Sequence, residues 1–133
     1  MTSLAAKQVE DIKRVLRSNG IVYARMFGSA AVGALTFDSD IDLAVSGEGP
    51  LSSSEIGNLI DQISSVVLRS VDIVDFRTAR GIVFDEALHG KEIFCDSSKA
   101  KAEAQYRRVS VIQDDIEFAR ASFNAAKDRM FRQ

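Results

Sequence analysis

Apolar side chains at Ala5, Val9, Ile12, Val15 and Leu16 recur at helical spacing, so the chain is expected to open with a helix over residues 4–18. Asn19-Gly20 ends it, because glycine tolerates the left-handed conformation that closes a helix. Residues 21–27 are apolar and aromatic and predict a first strand. A short helix over 29–34 follows, with Ser29 as its cap. Ile41–Ser46 reads as a second strand, closed by the loop Gly47-Glu48-Gly49-Pro50. Ser52 and Glu55 have the spacing of a capping box, and the helix they open carries an apolar stripe of Ile56, Leu59, Ile60, Ile63, Val66 and Val67. Val71-Asp72-Ile73-Val74 predicts a third strand within 70–76, residues 81–89 a short helix, and Lys91–Cys95 a fourth strand. From 99 to 131 there is no proline or glycine, which predicts one long helix. Within it Val109, Ile112, Ile116, Ala119, Phe123, Ala126 and Met130 alternate at steps of three and four. A seam of that kind packs either on the domain's own surface or against a partner helix. The pattern is that of a mixed α/β fold, a sheet flanked by helices with a long C-terminal helix.

Composition narrows the class. With 133 residues and 46% apolar content, the chain is expected to form a single domain over 1–133, its core at about 5–96 and its C-terminal helix at about 99–131. A formal charge of −2 argues against a general nucleic-acid binder, so no direct nucleic-acid contact is expected. The lone Cys95 excludes an internal disulfide and fits a reducing compartment. The start, Met1-Thr2-Ser3-Leu4, lacks a basic region followed by an apolar run, and no segment is apolar for long enough to span a bilayer. A cytoplasmic protein without membrane contact is the expectation.

The chemistry is concentrated in residues 26–43. Gly28-Ser29 lies at the end of an apolar run and, ten residues on, Asp40-Ile41-Asp42 begins the second predicted strand. Alternation along a strand puts Asp40 and Asp42 on one side and turns Ile41 and Leu43 to the core. Two carboxylates side by side repel each other unless a cation lies between them, and a glycine-serine turn offers backbone N–H groups to phosphate. A third ligand is needed for a useful magnesium site. Asp72, flanked by Val71 and Ile73 on a strand expected to be a neighbour, is the best candidate; Asp75 falls on the opposite face or at the strand end. Three carboxylates on one face suit transfer of a phosphate-bearing group, in which Mg²⁺ bridges protein oxygens to substrate phosphates. Asp40 and Asp42 are then the metal holders, and Asp72 completes the site and helps deprotonate the incoming hydroxyl.

Gly28-Ser29, ten residues, then Asp40-Ile41-Asp42 resembles the signature of the DNA polymerase β-like nucleotidyltransferases. Ser39 to Leu43, Val71 to Phe76, and Ala87-Leu88-His89-Gly90-Lys91-Glu92-Ile93-Phe94 are similar to the minimal nucleotidyltransferase (MNT) subgroup, and the likeness covers roughly residues 5–96. The resemblance implies Mg²⁺-dependent transfer of a nucleoside monophosphate, with Asp40, Asp42 and Asp72 as metal and catalytic carboxylates and Gly28 and Ser29 as the phosphate-binding turn. Many members of the subgroup are antitoxins that move AMP from ATP onto a tyrosine of a HEPN RNase toxin, which implies such a toxin and ATP as partners. Family members often carry Arg or Lys in the helix of the turn, where this chain has Ala30 and Val32; Arg25, Arg77 and Arg80 are the candidate substitutes. Two other readings remain: nucleotidylation of a small molecule such as an aminoglycoside, and a non-catalytic module that silences a toxin by occlusion.

Overall fold

The computed structural model describes residues 4–36 and 39–107 of the chain. The order is helix α1 (Ala6–Ser18), strand β1 (Tyr23–Phe27), a single 3-10 turn (Gly28–Ala30), β2 (Ile41–Ser46), α2 (Ser53–Val67), β3 (Val71–Asp75), α3 (Gly81–Leu88), β4 (Lys91–Cys95) and a helix α4 through 98–107. The heptad-like seam from Val109 to Met130 lies outside the described residues. The four strands form one sheet in the order β3-β2-β1-β4. β1 runs antiparallel to both β2 and β4, whereas β2 and β3 are parallel. Residues 28–40 join β1 to β2, while α2 supplies the crossover that a parallel pair requires.

Alternation along the strands divides the core in two. One face presents Ala24, Met26, Ile41, Leu43, Val45, Val71, Ile73 and Phe94, and α1 and α2 cover it with Ile12, Leu16, Leu59, Ile63 and Val67. Each of these large side chains contributes roughly 1.5–3 kcal/mol by leaving water. α2 starts as its capping box dictates: Glu55 N donates to Ser52 Oγ at 3.1 Å, and Ser52 N donates to Glu55 Oε1 at 3.2 Å. It ends on Leu68, held at φ +55° although it is not glycine and its side chain is exposed. α1 is tied to the end of β4 by a two-pronged pair, Arg17 Nε to Asp96 Oδ2 at 2.8 Å and Nη2 to Oδ1 at 2.9 Å.

The other face presents Tyr23, Phe27, Ala44 and Val74 and is covered more sparsely, by Phe84 and Ala87 of α3 and by Ala100 and Ala104 of α4. Tyr23 stacks on Phe76 with ring centroids 5.3 Å apart. This second face also carries Asp42 and Asp72, at the edge where β1 ends and β2 and β3 begin.

Candidate active site

β1 delivers the chain to the site and Gly28 turns it. Phe27 pairs with Asp42 across the antiparallel ladder, so the next residue lies against the Asp42 side chain. A β-carbon at position 28 would sit 2.5 Å from Asp42 Oδ2, and the backbone there has φ +69°. Glycine is therefore required twice, once for the dihedral and once for the space beside the carboxylate. The turn then closes with Ala31 N donating to Gly28 O at 3.2 Å and Ala34 N to Ser29 O at 2.9 Å. Buried Ala30 and Leu35 pin it to the core. The helix expected over 29–34 with a Ser29 cap is not formed. The helical segment is one 3-10 turn beginning at Gly28, it has no side-chain cap, and Gly33 at φ +68° stops it. Ser29 is half-buried within that turn.

The parallel pairing sets Asp42 directly level with Asp72. Asp40 stands one residue before β2 and, like Asp72, is exposed, whereas Asp42 is half-buried. The Asp42 carboxyl is pushed above the ordinary carboxylate value, first by burial and then by the negative charges of Asp72, Asp40 and Glu86. Among the described residues, no salt bridge reaches any of Asp40, Asp42 and Asp72. The donor set consists of carboxylate oxygens crowded without a counter-charge, and a hard divalent cation such as Mg²⁺ suits that set. Among the described residues no three acidic, histidine or cysteine side chains converge on a single point.

Asp75 belongs to the scaffold. It is 1% exposed, and its carboxylate accepts from Leu51 N and Arg77 N, each at 2.9 Å, fixing the entry to α2 and the exit from β3. Strand alternation separates it from Asp72, which lies on the open face.

Cations are arranged differently from the family pattern. Ala30 is buried, and Val32 is 77% exposed on the rim of the turn. Arg25 is committed to Gly90 O, to the Tyr23 hydroxyl at 3.0 Å and to Glu92. Arg77 bonds Glu103 and Gly47 O beyond the opposite end of β3, and Arg80 is the residue that opens α3. Arg25 and Arg77 are thus engaged away from the carboxylates. Sequence reasoning missed two residues that are close to them. Arg69, just after α2, donates through Nη1 to Thr36 O at 2.9 Å and Ser39 O at 3.3 Å, bracing the segment that leads into Asp40. Glu86 adds its charge to the field on Asp42 from α3. Buried Phe84 and Ala87 set the inward face of that helix, and Glu86 between them is exposed.

A sheet that sets two carboxylates level beside a glycine turn is the frame of a nucleotidyl-transfer domain, and comparison with known proteins agrees. The profile of the family described as "Polymerase beta, Nucleotidyltransferase" matches residues 10–99. The chain belongs to this family and is a nucleotidyltransferase.

Among solved structures, it is similar to a toxin–antitoxin crystallised with AMP-PNP, at 23% identity and TM-score 0.70, over 92% of this chain and 98% of that one. It is also similar to a chain of the Shewanella oneidensis complex of a tri-AMPylated HEPN toxin with its MNT antitoxin (20% identity, TM-score 0.69, 91% and 97% covered). A third similar structure is the MntA-HepT toxin–antitoxin (20% identity, TM-score 0.70, 92% and 99% covered). At these identities the likeness is one of fold. None of the curated proteins matches the chain in sequence. Among the described residues no helix is long and apolar enough to cross a membrane.

Proposed function

We propose that this nucleotidyltransferase is an antitoxin that moves AMP from ATP onto a tyrosine of a HEPN-type toxin, with Mg²⁺ held by Asp40, Asp42 and Asp72. The observation that carries the reading is the level Asp42–Asp72 pair with Gly28 packed against it. The toxin–antitoxin neighbours supply the biological context, since one contains AMP-PNP and another an AMPylated HEPN toxin. When bound, Mg²⁺ neutralises phosphate charge and lowers the repulsion among the carboxylates. Gly28 lets the turn pack directly against the Asp42 carboxylate, which places the backbone N–H groups of the turn beside the residue proposed to hold the metal. Asp72 takes the phenolic proton as the tyrosine oxygen bonds to the α-phosphorus. The bond from that phosphorus to the bridging oxygen breaks, and pyrophosphate leaves with the electron pair. Arg69 holds the approach to Asp40 in register throughout.

Co-expression with a HEPN partner tests this reading. Mass spectrometry of the partner is expected to show an AMP adduct on tyrosine that disappears with Asp40→Asn/Asp42→Asn. A partner silenced equally by the double variant, and carrying no adduct in either case, overturns it in favour of occlusion.

A further inference from the structure

Away from the carboxylates, on the same side of the sheet, a cavity of about 340 Å³ opens between the C-terminal ends of β2 and β3 and the face of α4. Ser46, Pro50, Phe76, Ala100 and Ala104 form its floor and walls, and Arg77, Arg107 and Glu103 supply its charges. The size is within the range of small-molecule sites.

Its guanidinium groups are incompletely used. Arg77 spends Nη1 on Glu103 Oε2 at 2.8 Å and Nη2 on Gly47 O at 2.9 Å, while its Nε–H is shut off from solvent and has no hydrogen-bond partner among the described residues. Arg107 donates one Nη1 bond, to Phe76 O, and lies over the Phe84 ring at 4.5 Å. Among the described residues no carboxylate is within ion-pair distance of it. Arg80 repels Arg107 and buried Asp75 attracts it. The described lining of the cavity holds two guanidinium groups, Arg77 and Arg107, and one carboxylate, Glu103, an excess of one positive charge.

We infer that this cavity is a second ligand site, separate from the nucleotidyl-transfer centre, for a small organic monoanion bearing a carboxylate on an apolar or planar body. The carboxylate takes the remaining donors of Arg107, and the body packs on Phe76, Pro50 and the alanines of α4. A single residual charge and the Glu103 carboxylate at the rim disfavour a dianion such as phosphate.

The test titrates benzoate, with benzamide as the uncharged isostere, into the full chain and follows backbone amides by NMR. Benzoate is expected to shift amides of residues 46, 76–77 and 100–107 and to leave 28–30 and 40–42 in place. Benzamide is expected to bind at least about tenfold more weakly, the loss of one charge-assisted contact. Arg107→Gln is expected to weaken benzoate about tenfold as well. Because the wild-type amide map needs no variant, a variant that fails to fold does not shield the proposal. Equal binding of benzoate and benzamide, or benzoate shifts confined to 28–42, overturns it.

Discussion

At position 28 a β-carbon would meet Asp42 Oδ2 at 2.5 Å, in a backbone held at φ +69°. Gly28→Ala is therefore expected to cost about 1–2 kcal/mol from the left-handed dihedral alone, with the crowding of Asp42 added. Urea unfolding measures the loss, and an unchanged midpoint would contradict the geometry. Asp42 gives a pH-dependent test. Its carboxyl titrates above the unfolded value because it is buried and faces Asp72, Asp40 and Glu86. The native state thus holds this proton more tightly than the unfolded chain does. The resulting stability is present below the ordinary carboxylate value and lost as pH rises through the raised one. Asp42→Asn is accordingly expected to melt higher than wild type near neutral pH without metal, with the advantage vanishing in acid. Melts across pH check it, and an advantage that does not change with pH would contradict it. The Asp42–Asp72 alignment was legible in the sequence because both residues interrupt apolar strands. Arg69 and Glu86 were not, because their nearness depends on how α2 and α3 return to the sheet.

Element boundaries followed local chemistry wherever a cap or an alternation was strong. Ser52 and Glu55 announced α2, and β2 and β4 matched their expected ranges residue for residue. Ser52→Ala is expected to cost about 1 kcal/mol with transfer activity unchanged; chemical denaturation checks the first and a label-transfer assay the second. At the other end of α2, Leu68 occupies φ +55° with its side chain in solvent. Leu68→Gly is expected to stabilise the fold by about 1 kcal/mol, read as a higher denaturation midpoint. The segment after β1 was misread because Ser29 looks like a cap. Two glycines with positive φ, Gly28 and Gly33, instead confine the helical geometry to one turn. That shortness keeps the backbone beside Asp42.

Across the whole molecule, the two faces of the sheet have separate duties. The face under α1 and α2 takes most of the apolar residues that periodicity identified, so the fold class and the core could be read from pattern alone. The opposite face is thinly covered, by α3 and α4, and carries the carboxylates at one end of the sheet and the guanidinium-lined cavity at the other. That cavity was invisible in the sequence, because Arg77 and Arg107 are thirty residues apart and meet only through packing.

Transfer of a nucleotide from this open face leaves a signature in which phosphate of ATP reaches the partner. Purified chain, Mg²⁺ and a HEPN partner are incubated with ATP labelled at either the α- or the γ-phosphate. The α-label is expected to move to the partner with release of pyrophosphate, the γ-label to stay off it, and Asp42→Asn to lower transfer at least about a hundredfold, roughly 2.7 kcal/mol of barrier. Transfer of the γ-label, or equal α-label transfer by Asp42→Asn, would contradict it.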